Sequence, residues 1–253
     1  MQFKFSRRVF HGIALSAILR GESRPAYYRL KRSGDLWQIV APDDSIVEHA
    51  PPISVDPLNK PFLAGVPVLP ENKFADVFDP EVQQQIRDTC AARAKSLEKN
   101  KELVAYLWTG IPVWNRAWVD WFRTLHADSP GKQQYVQFLK ETYKYSVGDV
   151  NAIYGIDSTS FTDLGQIRWN AAGLDREKVR ADDEAFLGSI AQVLYSTAAE
   201  AIRKVDQHHL ILSEHFDKTT PSPVIQAAAS ATDAIWLDRG AECQCTVRVF
   251  LFM

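Results

Sequence analysis

The sequence predicts an α/β protein built on a parallel sheet. Three observations carry that expectation. From residue 79 onward, segments with helical periodicity alternate with short apolar runs, in the order helix, strand, helices, strand, helix, strand. Residues 103–108 are unbroken apolar sequence of strand length, the pattern of a strand buried on both faces. Residues 182–205 carry a broad apolar stripe through Phe186, Ile190, Leu194, Ala198, Ile202 and Val205, as a helix lying on a sheet would.

Taken from the N-terminus, the first segment is 1–22. Ser6, Arg7, Arg8 and Phe10 precede a short apolar run, Ile13 to Leu19. This is the pattern of a twin-arginine export signal, which would place the mature protein in the periplasm or outside the cell; otherwise the protein is cytoplasmic. An amphipathic first helix with a basic start reads the same way. The apolar run is shorter than the roughly 20 residues a membrane span needs, so no integral span is expected. Residues 23–60 form a β-hairpin leader and loop. Tyr28, Leu30, Leu36, Gln38 and Val40 alternate around a turn at Ser33-Gly34-Asp35. Seven prolines between residues 41 and 70 mark a loop, with one strand near residues 62–68.

Residues 61–240 hold the α/β unit. Asp79-Pro80 starts a helix whose buried face is Val82, Ile86, Cys90, Ala94 and Leu97. The strand at 103–108 follows, then a long polar and aromatic excursion over 111–180. Within it one helix starts at Ser129-Pro130, and a second carries Val147, Val150 and Tyr154 and stops at Gly155. The helix at 182–205, a strand at 209–213, a short helix at 224–229 and a strand at 233–237 complete the unit. The tail, 241–253, matches none of these patterns.

Composition narrows the function. A formal net charge of -2 gives no reason to expect nucleic acid or an anionic membrane as partner. No Gly-rich phosphate loop is present, and no cofactor is implied. Cys243 and Cys245 form C-x-C, which lacks zinc-site spacing, and His208, His209 and His215 match no standard metal site. An aromatic content of 11% fits either core packing or a carbohydrate cleft, since aromatic faces stack on sugar rings.

Four segments carry a family resemblance: Y-Y-R-L-K-R-S-G-D-L-W-Q-I-V-A-P-D-D-S at 27–45, D-V-F-D-P-E-V at 76–82, L-V-A-Y-L-W-T-G-I-P-V-W at 103–114, and D-D-E-A-F-L through V-D-Q-H-H-L-I-L-S-E-H-F at 182–216. In order and spacing they resemble agarase-like and family 42-like, β-galactosidase-like glycoside hydrolases. The resemblance implies a (β/α)8 TIM barrel, here partial or degraded, preceded by a small β-rich leader. It also implies a polysaccharide or oligosaccharide partner, galactose-containing or algal, and two carboxylic acids at the C-terminal ends of barrel strands. This chain departs from that pattern. Where a T-D-N-E-like motif should carry the acid stand Thr109, Gly110, Ile111 and Pro112, and after residue 237 no nucleophile strand is recognisable.

The residues that can still matter lie at the ends of the two clear strands. Glu214 is the one candidate catalytic carboxylate; it and His215 follow the strand at 209–213 and are candidate substrate-binding groups, unless they belong to a solvated loop. Trp108, Trp114, Trp118 and Trp121 follow the other strand; one or two can serve as a sugar-stacking platform, or their spacing is the packed face of a helix. Trp108 and Trp114 are the preferred platform. The expected function is a glycoside-hydrolase-like protein, inactive as this chain stands. The alternatives are a non-catalytic carbohydrate-binding barrel and a non-functional fragment from a faulty gene model, the last motivated by the tail.

Overall fold

The computed structural model describes residues 27–33, 36–45, 63–69, 73–169, 171, 174 and 176–237. Residues 1–22, where an export signal is expected, the turn residues Gly34 and Asp35, and the tail lie outside them. The leader is a hairpin of β1 (Arg29–Ser33) and β2 (Leu36–Val40), antiparallel with Ser33 opposite Leu36, as its alternation predicts. The main unit runs β3 (Leu63–Pro67), α1 (Pro80–Leu97), β4 (Ala105–Thr109), α2 (Arg116–Thr124), α3 (Pro130–Thr142), α4 (Val147–Tyr154), α5 (Phe161–Gln166), α6 (Glu177–Val205), β5 (Leu210–Phe216), α7 (Ser222–Ala231) and β6 (Ala234–Leu237). The last four strands form one parallel sheet in sequential order β3-β4-β5-β6. The strands expected near 103–108 and 209–213 are direct neighbours, with Ala105 opposite Leu210 and Leu107 opposite Leu212.

The unbroken apolar runs follow from burial on both faces. Ala64, Val66, Tyr106, Trp108, Ile211 and Ile235 join the core between sheet and helices. Leu63, Ala105, Leu107, Leu210, Leu212 and Ala234 alternate with them and are buried as well. A strand in that position has no polar face to show, so its sequence loses the period-two signal.

Most helix starts are local chemistry. The Asp79 side chain accepts from the Glu81 N–H, and Pro80 fills the first turn, where no N–H is needed. Asn115 and Ser146 cap α2 and α4 in the same manner, and Gly155 ends α4 in the left-handed region at φ 66. Helix α6 begins at Glu177 rather than Asp182. It is long and apolar enough to cross a membrane by composition, yet 67% of its most apolar window is buried inside the protein. That window packs on α1 and α7, so its apolarity is that of a core helix.

One of the remaining helices stands in the sequence only as an alternative, and one is not legible at all. The tryptophan spacing at 114–121 is helical from Arg116, and Trp118, Val119 and Phe122 form its buried face. The six-residue α5 has too few turns for periodicity to register. What assembles this excursion is a buried charge. Arg123 is fully buried; it donates to Tyr135 Oη at 2.8 Å and Asp120 Oδ1 at 2.6 Å, and it also bonds Asp183. The rings of Tyr135, Tyr154 and Trp169 surround its guanidinium at 5.2, 5.5 and 5.2 Å. Burial opposes the Arg123 charge, but Tyr135 and Asp183 outweigh it and hold the guanidinium protonated. Lys132 Nζ donates to the carbonyls of Arg123 and Ile167 at 2.6 and 2.8 Å, fastening α3 to the ends of α2 and α5. Burial, with help from Arg123 and Arg168, lowers the Lys132 pKa to about 8.

A second buried polar cluster locks the N-terminal end of the sheet. Asp206 accepts from Tyr106 Oη at 2.7 Å, from the backbone N–H of His208 and His209 at 2.9 and 3.1 Å, and lies against His209 Nδ1. His209 Nε2 faces the Asn100 carbonyl at 2.9 Å. Burial alone would raise the Asp206 pKa, but the His209, Tyr106 and backbone hydrogen bonds reverse that and depress it well below the usual range. A carboxylate depressed in the folded state contributes stability above its unfolded pKa of about 3.9 and loses it as pH falls toward the folded value. The Asp206→Asn variant is therefore expected to be less stable than the parent at pH 7, with the gap narrowing below about pH 4. Urea unfolding at pH 7, 5 and 3 checks this; a gap that is constant or widens toward acid refutes it.

Candidate functional site

The C-terminal edge of the sheet is built by the ends of β3, β4 and β5. At β4, Gly110 follows the last strand residue with φ +78, and a Cβ there would lie 2.3 Å from the Leu69 carbonyl oxygen. The turns after β3 and β4 thus pack backbone to backbone, with Val68 N–H donating to the Thr109 carbonyl at 3.0 Å. Only glycine fits, for conformation and for space. Of the four positions where the resemblance expects a T-D-N-E-like motif, Thr109 to Pro112, Gly110 admits no side chain and none carries a carboxyl.

Glu214 lies inside β5, not beyond it, because the strand continues to Phe216. The pairing with β6 shifts between Leu212 and His215: Leu212 is opposite Ala234 and His215 opposite Trp236, so β5 carries one extra residue. This β-bulge changes the face on which the following side chains fall. Ile211 and Phe216 both enter the helix-side core, which an odd spacing forbids in an uninterrupted strand. Glu214 is turned to the same side. Its Oε1 accepts from the Trp114 indole Nε1 at 2.8 Å and from the Tyr195 hydroxyl of α6. Oε2 is buried without a hydrogen-bond partner among the described residues. Burial raises the Glu214 pKa above the usual carboxylate range, with the Tyr195 and Trp114 donors pulling the other way. Burial and then the Glu214 charge push the Tyr195 hydroxyl well above its ordinary value, so it stays a donor. The alternative of a solvated loop at Glu214 does not hold: the bulge inserts the carboxyl between a strand, a helix and an indole.

The remaining candidates separate. His215, on the other side of the bulge, is exposed. Trp114 is 7% exposed and stacks on Trp118 at 4.7 Å and 25°. Trp108 is 2% exposed and packs on Tyr195 at 6.5 Å. As packed here Trp108 and Trp118 offer no face to a ligand, which corrects the expectation of a platform for Trp108: alternation along β4 points it at the helices. Tyr195, which sequence reading missed, sits mid-helix in an apolar stripe and carries no signal of its own. Among the described residues, no group of three or more His, Cys, Asp or Glu side chains could hold a metal ion.

The chain is an α/β protein with a parallel sheet and a hydrogen-bonded carboxyl, that of Glu214, near the C-terminal end of a strand. Its fold is shared with solved glycoside-hydrolase-type structures. The structure of PfGH50B superposes with a TM-score of 0.68 at 14% identity, over 85% of this chain and 49% of that one. An agarase, AgWH50C, gives 0.67 at 14% identity, again over 85% and 49%. An exo-β-agarase gives 0.60 at 20% identity, over 70% of this chain and 27% of that one. The chain thus spans about half or less of the length of these structures. No family model matches it, and no curated protein matches it significantly.

Proposed function

We propose that the protein is a glycoside-hydrolase-like protein that engages a galactose-containing or algal polysaccharide, and that this chain as it stands does not turn over glycosidic bonds at rates usual for such enzymes. The observation that carries the reading is the agarase-type fold combined with the exit of β4, where Thr109, Gly110, Ile111 and Pro112 supply no carboxyl. Glu214 is the candidate carboxyl, with Trp114 hydrogen-bonded to it, His215 exposed on the other side of the strand and Trp108 behind, backing Tyr195. The twin-arginine-like start suits a protein that meets a polysaccharide outside the cytoplasm. Calorimetric titration with agarotetraose and with cellotetraose tests the substrate class. Saturable binding of the galactose-containing sugar, at least about tenfold tighter than the glucose polymer, is the expected result, equivalent to about 1.4 kcal/mol. Equal or absent binding of both would remove the proposal.

A further inference from the structure

We propose that an open groove between the start of α1 and the turn joining α2 to α3 binds a pyranose ring of an oligosaccharide, with the indole of Trp121 as its stacking face. The inference rests on the carbohydrate reading above but concerns a different place from the sheet edge. Of the four tryptophans in the 108–121 stretch, Trp108, Trp114 and Trp118 are 2%, 7% and 0% exposed. Trp121 is half-buried and lines a groove of about 550 Å³, within the roughly 300–1,000 Å³ usual for small-molecule clefts. Phe74 forms the adjoining wall, its ring 6.3 Å from that of Trp121 and tilted by 43°, with Leu125 beside them.

The polar groups around these rings select the ligand. Asp79 and Asp128 line the groove together with His126. Asp79 Oδ1 accepts the Glu81 N–H at 2.8 Å, which leaves its carboxylate with further acceptor capacity. The Asp128 side chain is 89% exposed and lies 3.3 Å from His126 Nδ1. A pyranose has an apolar C–H face ringed by hydroxyl donors, so it covers the indole while its hydroxyls donate to the carboxylates. A purely apolar side chain seated against the indole would cover Asp79 without offering it a donor, which costs free energy.

The test extends the agarotetraose titration to Trp121→Ala, Trp121→Phe and Asp128→Asn, with near-ultraviolet circular dichroism to confirm folding. Trp121→Ala is expected to weaken binding at least tenfold, Trp121→Phe less than threefold because an aromatic face remains, and Asp128→Asn about threefold. If Trp121→Ala fails to fold, the Asp128→Asn and Trp121→Phe results decide. Affinity unchanged within twofold in Trp121→Ala, or in Asp128→Asn where that variant decides, overturns the groove while leaving the carbohydrate reading in place. A parent protein that binds no agarotetraose overturns both, and the failure then lies with the carbohydrate reading.

Discussion

Replacing Arg123 with methionine is expected to destabilise the protein by about 3–5 kcal/mol, the range found when one partner of a buried ion pair is removed. Methionine approximates the aliphatic stem, so the loss is mostly electrostatic. Asp183 would remain buried beside Arg116 alone, with Nε to Oδ2 at 3.2 Å and no well-formed hydrogen bond to that oxygen. Burial already raises the Asp183 pKa, with the Arg123 charge as the largest opposing influence. Removing Arg123 therefore makes the Asp183 charge untenable, and the carboxyl must take up a proton or the helices must part. Three aromatic rings lose their cation, and Lys132 stays bonded to a helix end whose position Arg123 fixed. Adding Asp183→Asn should recover part of the loss, because the stranded charge disappears; the two substitutions will not be additive, as neighbours in one network seldom are. Urea unfolding measures both. A cost under about 1 kcal/mol for Arg123→Met would show that the network is peripheral to stability.

The second large effect is catalytic. Purified protein should cleave aryl β-galactosides and agarose at no more than background rate. Glycoside hydrolysis in its usual form needs one carboxylic acid to protonate the leaving group and a second carboxylate as nucleophile or base, with their separation set by the mechanism. General acid–base help is typically worth about 10²- to 10⁴-fold. At the end of β4 the chain has Gly110 pressed on the Leu69 carbonyl, and neither Ile111 nor Pro112 transfers protons. Glu214 is turned by the bulge toward Tyr195 and Trp114 and can supply one role at most. Asp217, next along the chain, is exposed and accepts from Thr219 N–H and Oγ1, both at 2.7 Å, as the cap of a turn. The Glu214→Gln variant is the control, since it keeps the shape of the side chain. Robust turnover in the parent that vanishes in this variant would make Glu214 the centre of an active site and reverse the prediction.

What the sequence determined by itself was whatever depends on near neighbours along the chain. Asp79-Pro80, Ser129-Pro130 and Gly155 set helix ends through caps and fixed dihedrals, and those boundaries hold in the structure. The strands at 103–108 and 209–213 announced burial on both faces, hence a parallel sheet with helices as crossovers, and the sheet pairs them side by side. That Thr109, Gly110, Ile111 and Pro112 carry no carboxyl was also plain, because residue identity needs no tertiary context.

Tertiary structure decided the orientations. Period-two alternation predicts which face a strand residue takes only while the register holds, and a bulge is defined by the partner strand, so the sequence of β5 does not reveal that Glu214 faces α6. Of four tryptophans with similar spacing, three are buried and Trp121 is half-buried, bordering a groove that Phe74 and the α2–α3 turn also line. Arg123 and Asp183 are far apart in the chain, and no sequence pattern pairs them. Only packing of α2 against α6 brings them together out of water, where a charge must find its partner.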